Sequence, residues 1–520
     1  MNKTNETTKN NSTQGKTNIW LVYGICLLIS TIFFIIFGFN SPIYKFNFYV
    51  DFQWYMTMGN GLVHGKIPYR DLFEHKGPIV YFVTAFCHLF PDPNTMFLII
   101  EIFCMSLFFF FAYKIFRKAL NNFCSLLAIL FLAFAVFTCW CRMFSGAPVE
   151  EFCLPIFSYF LLCWLEFLTE KKSWTWTRSL FLGLCFGILF WVKFTMFYFI
   201  ITPIIIWFII SLYRRQFHNV FINILCMVAG ILIITAPILL FFAIYKAIDD
   251  LFYVYLFINL SSYDTTSMQN ILSSFMLFFE IGPTILFFIL WGIISFSIIH
   301  WKEPSGWLLL IAFIINLALI TYTCKGLTYY YGQIFPYAIL GITNILKLIT
   351  TKINFSKLNQ SIKISIYILS LIIILGLCIP CSPSTQEWGR NENEYAPLVY
   401  AKIFNQFKDE TGKEATFICY DIGDHGFYNA AEVTPSVYFY AKNFFSKNNF
   451  PDMFKSFDDY ITNKKIDFII TTTGKWNSEK QYLEQYYQPY TGDAKTSTFA
   501  HKRLQYHKYE YINFILLIKK

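Results

Sequence analysis

Apolar runs of membrane-crossing length recur from near the N-terminus to Ile379, and no other feature limits the possible folds so severely. A helix needs roughly 20 apolar residues to cross the hydrocarbon of a bilayer. The runs are Ile19–Phe39, Thr95–Tyr113, Ser125–Trp140, Phe152–Leu168, Ser179–Val192, Met196–Leu212, Val220–Phe242, Pro283–Ile299, Trp307–Tyr322, Ile334–Ile349 and Ile364–Ile379. They predict about eleven spans, with ends good to a few residues. Around Lys193 two runs share one short turn. Composition agrees: 56% of residues are hydrophobic, 14% are charged and 62 are Phe, more apolar surface than a soluble chain can hide. The first run is too long for a cleaved signal peptide and lacks a small-residue cleavage site, so it reads as a retained span.

The formal charge of +9 sits largely in short loops between the runs. Lys114, Arg117 and Lys118 form one group; Lys171, Lys172 and Arg178 a second; Arg214 and Arg215 a third; Lys347, Lys352, Lys357 and Lys363 a fourth. They fall in alternate loops, which places them on one side, the cytoplasm. The N-terminus is then cytoplasmic and, with an odd number of spans, the chain beyond Ile379 is outside. No basic face with interleaved aromatics stands apart from the apolar runs, so nucleic acid is not an expected partner. Residues 1–18 are polar and of low complexity and read as a disordered cytoplasmic tail. Residues 19–381 read as the membrane domain, with a first outer loop at 40–78. In residues 382–520, Ala415–Tyr420, Ile466–Thr471 and Tyr511–Ile518 read as strands and Leu398–Lys408 as an amphipathic helix. The expected fold class is thus an α-helical polytopic protein of the cell membrane with a small C-terminal extracytoplasmic α/β domain. The pair Cys378/Cys381 has CxxC spacing but no partners that would make a redox or metal site.

The first outer loop holds the densest chemistry. Asp51 opens a stretch with apolar residues at Phe52, Tyr55, Met56, Gly59 and Leu62, a helical spacing that predicts a short helix lying on the membrane surface. At its start Asp51 is either a helix cap or a general base able to take a proton from an acceptor hydroxyl. The run GLVHGKIPYRDLFEHKGP follows, with turns marked by Gly65, Pro68, Gly77 and Pro78. Between the turns stand Lys66, Tyr69, Arg70, Asp71, Glu74, His75 and Lys76. So many charges beside a bilayer are expensive unless paired or used. Arg70 suits a phosphate as a fork and Lys76 as a point charge, while a salt-bridged loop is the plain alternative. Glu74 and His75 are candidate ligands for a divalent cation, although two adjacent residues make a weak metal signature.

The segment G-x-I-P-Y-R-D-L-F-E-H-K-G-P (Gly65–Pro78), preceded by D-x-x-x-Y (Asp51–Tyr55), resembles the first outer loop of polytopic glycosyltransferases of the GT-C type. It is most similar to the bacterial branch with protein O-mannosyltransferases and the lipid A aminoarabinose transferase, and to the RgtA/B/C/D-like group. The resemblance covers the membrane part well and the tail poorly. It implies a sugar donor carried on polyprenyl phosphate and used on the outer face. It also implies Asp51 as the catalytic acid–base residue, Glu74 and Lys76 at the lipid-phosphate site, and Glu74 as a candidate metal ligand.

Other loops return to the same face. In CRMFSGAPVEEFCLP, Glu150 and Glu151 follow Pro148 into a span. Adjacent helical residues point about 100° apart, so one of the two faces a common site, and Glu150 is the one favoured. The plain alternative is a dipole-stabilised helix start. The family often carries Thr before this acid where this chain has Val149. Arg142 is a second phosphate ligand or a partner of these acids. Lys193 either snorkels to the interface or approaches the phosphate. In TCKGLTYYYGQIFP, Lys325 can supply charge and Tyr329 a hydrogen bond to phosphate, or the tyrosines are an aromatic belt. Tyr329 stands where the family commonly has His, a departure that weakens a metal site using that His. The loop Lys246–Asn270, with Asp249, Asp250 and Asp264, is a candidate to shape a substrate entrance, with no role assigned to its acids. Glu101, near the outer end of the second span, is either functional or paired with a basic residue of the outer loops. Asp421, Asp424 and His425 read as structural or solvated.

The function expected is a membrane glycosyltransferase. It would move a sugar from polyprenyl phosphate to a cell-surface glycan, lipid or protein, with inversion and with Asp51 as base. The alternative is a transporter or flippase of lipid-linked saccharides, but such proteins place charge near the bilayer midplane. Here charge gathers at the outer ends of spans.

Overall fold

The computed structural model describes residues 18–139, 148–261, 268–324, 326–353, 355–382, 384–442, 445–490, 498–505 and 508–520. The tail 1–17, Arg142, Asp264 and Lys325 lie outside the described residues.

Within the described residues every predicted span is helical. The order is α1 (Ile19–Phe37), α2 (Val50–Val63), α3 (Pro78–Cys87), α4 (Pro93–Phe116), α5 (Asn122–Phe137), α6 (Val149–Thr169), α7 (Trp176–Val192), α8 (Tyr198–Tyr213) and α9 (Phe217–Ile244). After a helical connection come α10 (Pro283–Ile299), α11 (Pro304–Thr323), α12 (Ala338–Lys352) and α13 (Gln360–Cys378). Polar caps set several starts. Asn18 accepts from the Trp20 amide, Asp92 from Asn94 and Thr95 just before Pro93, and Asn359 from Ile362. Among the described residues 8 helices are long and apolar enough to cross a membrane, or 9 if Gln269–Glu280 and α10, bent by 99°, form one span. The remaining predicted spans, α5 and α7, are apolar helices of 16 and 17 residues.

The predicted loop Lys246–Asn270 is instead largely helical. It contains a helical turn at Ile248–Leu251, a π-helical stretch at Phe252–Ile258 and a helix from Met268 to Leu277. Buried Leu251, Val254, Tyr255 and Ile258 give the segment an apolar face that docks into the bundle, which a free loop would leave wet.

The two ends of the bundle differ. At one end Lys118 pairs with Glu166 at 2.9 Å, Arg178 with Glu166 at 2.7 Å and Lys172 with Glu170 at 2.6 Å. Basic residues that read as topology signals therefore also tie the α4–α5 turn to the ends of α6 and α7. At the other end α2, α3 and the loop between them lie under the C-terminal region. There α14 (Ala396–Thr411) packs on a five-stranded sheet. The strands are β1 (Phe417–Cys419), β2 (Phe468–Thr472), β3 (Tyr487–Pro489), β4 (Thr498–Gln505) and β5 (Lys508–Lys519). β1 and β2 are parallel, in register Phe417 to Phe468; β5 runs antiparallel to β2 on one side and to β3 and β4 on the other. The sequence shows β1, β2 and β5, which are apolar; β3 and β4 lack that signal.

Candidate active site

The first turn of α2 carries Asp51, two residues after the N-cap Tyr49. Asp51 is therefore not the cap, and among the described residues nothing hydrogen-bonds its carboxylate. The spacing suggested a helix with one apolar face and the other exposed, and here the helix is covered on all sides. Every residue from Asp51 to Gly61 is buried, because α3 covers one side and the C-terminal region another. α3 approaches closely at Gly59, where a Cβ would meet the Ala85 amide nitrogen at 2.6 Å. The Thr84 hydroxyl donates to the Tyr55 carbonyl at 2.7 Å across the same contact. Upstream, buried Asn47 accepts from the Tyr49 amide at 3.0 Å and donates to Asn40 at 2.9 Å. Asn40 in turn donates to Glu101 at 3.0 Å. Glu101 thus fixes the approach to α2 through two amides; among the described residues no basic side chain pairs with it.

The loop 64–77 is held in a fixed shape. Tyr69 adopts φ 70°, a left-handed conformation that is costly for a bulky residue and persists only under constraint. Its hydroxyl donates to the Lys76 carbonyl at 2.6 Å, and its ring packs against Tyr81 and Phe242. Buried Glu74 accepts from the Lys76 amide at 2.8 Å and from the Tyr81 hydroxyl. It lies 3.3 Å from His75 Nδ1 and 3.8 Å from Lys76 Nζ. The Asn259 amide donates to the His75 carbonyl at 2.7 Å, so the helical connection braces this loop. Gly77 ends it. A Cβ there would sit 2.0 Å from the Trp191 carbonyl, and the Gly77 amide donates to Val192 at 3.0 Å. Only glycine allows that approach, which brings Lys76 to the end of α7.

Lys193 follows α7 directly. It does not snorkel: it is buried, its ammonium is 2.7 Å from Glu150 Oε1, and it lies 3.4 Å from the centre of the Tyr330 ring and 5.3 Å from that of Tyr329. Glu150 Oε2 is buried without a hydrogen-bond partner among the described residues. Electrostatics joins these groups to α2. The charges of Glu150, Lys76 and Asp51 all reach the Lys193 ammonium, and the same three reach the Tyr330 hydroxyl. Tyr329 senses Asp51 and Glu150; Tyr55 senses Asp51, Glu74 and Glu150. Asp51, Glu74, Lys76, Glu150, Lys193 and Tyr329 therefore share one region. Glu151 faces away from it, toward Glu101.

Arg70 is not part of this gathering. Its guanidinium grips Asp71 through two bonds of 2.9 and 2.8 Å and donates to the Tyr245 carbonyl at 2.8 Å. The bond from Arg70 holds the Asp71 carboxyl below the usual range. No group of three or more His, Cys, Asp or Glu side chains is placed to hold a metal among the described residues. Glu74 is engaged by Tyr81, His75 and the Lys76 amide, which gives no support to a cation there. Sequence reasoning missed Tyr55 as a site residue, although its i+4 spacing from Asp51 puts both on one helix face. It also missed Tyr81 and Asn259, for which no local signal exists.

This architecture occurs in known proteins. ArnT from Cupriavidus metallidurans bound to undecaprenyl phosphate superposes with a TM-score of 0.54 at 11% identity, over 96% of this chain and 97% of that one. The chain is a polytopic membrane protein of the GT-C fold. The GT-C oligosaccharyltransferase AglB from Archaeoglobus fulgidus, in complex with an inhibitory peptide and a dolichol-phosphate, matches with a TM-score of 0.50 at 14% identity. That match covers 95% of this chain and 74% of that one. Residues 75–241 match the family model described as dolichyl-phosphate-mannose-protein mannosyltransferase. No curated protein matches the sequence. The family-model match begins at His75, so it takes in Lys76, Glu150 and Lys193, while Asp51 lies upstream of it.

Proposed function

We propose that this GT-C protein transfers a sugar from a polyprenyl-phosphate carrier to an acceptor hydroxyl on the outer face of the cell membrane. The observation that carries this reading is the meeting of Asp51, an acid that no described residue hydrogen-bonds, with two cations, Lys76 and Lys193, between the bundle and the C-terminal domain. The bundle offers a carrier tail an apolar surround, and the ArnT and AglB structures are complexes with undecaprenyl phosphate and a dolichol-phosphate.

In this reading Asp51 accepts the proton of the acceptor hydroxyl. The acceptor oxygen attacks the anomeric carbon as the carbon–oxygen bond to the phosphate breaks on the opposite side, giving inversion. Negative charge grows on the departing phosphate, where Lys76 and Lys193 stabilise it in a site of low dielectric. Tyr329 donates a hydrogen bond to the phosphate, and Glu150 pairs with Lys193 and aims its ammonium. Arg70, half-exposed and held by Asp71, meets the donor in this reading away from the reacting phosphate. The acceptor is a surface glycan, lipid or protein that reaches the site beside the C-terminal domain.

The test is incubation of purified protein with a panel of polyprenyl-phosphate sugars, native against Asp51→Asn. Native turnover with a loss of about 10²- to 10⁴-fold in the variant is expected. Equal turnover in both removes Asp51 from the role of base. Absence of turnover together with lipid translocation in vesicles favours a flippase.

A further inference from the structure

One face of α2 is given over to the C-terminal domain. Val50, Gln53, Trp54, Thr57 and Asn60 follow one another at the i, i+3, i+4, i+7, i+10 spacing of a single helical stripe. A Cβ on Gly423 would meet Val50 at 3.1 Å and Trp54 at 3.4 Å, and one on Gly426 would meet Gln53 at 2.7 Å. The Trp54 and Tyr440 rings lie 5.0 Å apart, and Asn60 donates to the Val433 carbonyl at 3.4 Å. At the centre the Thr57 hydroxyl donates to Asp424 Oδ2 at 2.6 Å, and both residues are buried. The other oxygen of Asp424 accepts from the Gly426 amide at 2.9 Å and the Phe427 amide at 3.1 Å.

A carboxylate sealed from water is costly unless its lone pairs are used. Here two bonds come from its own loop and the third comes from α2, 367 residues away in the chain. A residue that served its own turn alone would need no such partner. Burial pushes the Asp424 carboxyl up, and the bonds from Thr57, Gly426 and Phe427 work against that shift. The arrangement is fully satisfied when the C-terminal domain is seated on α2. Asp51 lies on a different face of the same helix. Thr57 comes six residues later, which at about 100° per residue places the two side chains roughly 120° apart. Seating the stripe therefore sets both the rotation and the height of α2, and with them the position of the Asp51 carboxylate.

We infer that Thr57 and Asp424 are positioning residues, forming a buried latch by which the C-terminal domain aims Asp51 at the reacting centre. The inference rests on the proposed role of Asp51. The latch reaches the chemistry through α2, whereas the donor phosphate is met by Lys76 and Lys193 on other elements. Loosening it thus lowers kcat and leaves KM for the donor largely alone.

The experiment uses the full-length protein, with kcat and KM measured on a polyprenyl-phosphate sugar and amide hydrogen exchange followed across residues 50–63. Thr57→Val removes the hydroxyl with little change of shape, and Asp424→Asn removes the charge and keeps the outline. For Thr57→Val the expected result is a fall in kcat of about tenfold with KM within about twofold. Faster exchange in α2 accompanies it, and Thr57→Ser restores both. Wild-type kcat and wild-type α2 exchange in both Thr57→Val and Asp424→Asn, with Asp51→Asn inactive, overturn the latch and leave the role of Asp51 standing. A smaller folded fraction with unchanged kcat per folded molecule also overturns it. If the native protein turns over no lipid-linked sugar, the proposed function falls, and α2 exchange alone decides the latch.

Discussion

Lys193 and Glu150 are buried together, and each makes the other tolerable. Removing one partner leaves a charge in a medium that cannot solvate it, which costs about 3–5 kcal/mol. Glu150→Gln is accordingly expected to lower thermal stability strongly and to abolish donor turnover. Lys193→Met has the same effect from the other side, and the double replacement Glu150→Gln with Lys193→Met recovers much of the stability while staying inactive. A double-mutant cycle by thermal unfolding checks this; additive losses would mean that the pair is not coupled. At this scale the sequence was half legible. The 100° rule says that Glu150 and Glu151 cannot face one site, yet nothing local says which of them meets Lys193. Nor does a turn between two apolar runs reveal that its lysine points inward under Tyr330. The second fact depends on a tyrosine brought in from far along the chain.

Among the elements, α2 was found but its cover was not. Its apolar spacing is real, and a helix with one apolar stripe lies on a membrane unless something covers the rest. The cover is the C-terminal domain, whose return to this helix leaves no mark in residues 51–63. Polar Gln53, Thr57 and Asn60 lie on the covered stripe and look like solvent-facing residues in the sequence. The tight side of α2 gives a direct test. Gly59→Ala would place a methyl 2.6 Å from the Ala85 amide nitrogen, backbone that cannot rotate away. The expected result is separation of α2 from α3, with lower thermal stability and a loss of activity beyond what helix propensity, which favours Ala, would suggest. The sheet offers a second. Burial pushes the Asp467 carboxyl up, but the Thr416 hydroxyl at 2.7 Å, the Thr416 amide and the Lys519 ammonium at 3.1 Å outweigh it and hold the carboxyl below its usual range. A lowered carboxyl stabilises the fold above its unfolded pKa and loses that contribution as pH falls through the folded value. The C-terminal domain should therefore weaken from about pH 4 downward, and Asp467→Asn should flatten that part of the profile in a melting series.

For the whole molecule the question is whether α5 and α7, at 16 and 17 residues, cross the bilayer. At about 1.5 Å per residue they are shorter than a typical hydrocarbon core. The structure nevertheless runs each from one end of the bundle to the other. α5 starts where Tyr113 donates to Asn122 at 2.6 Å, beside the basic turn, and finishes with Phe137 packed on Phe33 and Phe37 near the far end of α1. α7 starts beside the Arg178–Glu166 pair and finishes at Lys193 in the candidate site. A short crossing is accommodated by local thinning of the bilayer. Counting both helices gives the odd number of crossings expected from the sequence, and with it the proposal that the start of α1 and the C-terminal domain lie on opposite sides. The Thr57–Asp424 contact independently fixes the C-terminal domain on the side of Asp51. An impermeant maleimide applied to intact cells is then expected to label Lys408→Cys and not Lys172→Cys, in a background where exposed Cys381 is replaced by Ser. Permeabilisation should expose both. The reverse pattern would put Asp51 in the cytosol and end the outer-face assignment. Labelling of both before permeabilisation would mean an even number of crossings between residues 172 and 408, and would overturn the proposal that α7 and the six later helices all cross.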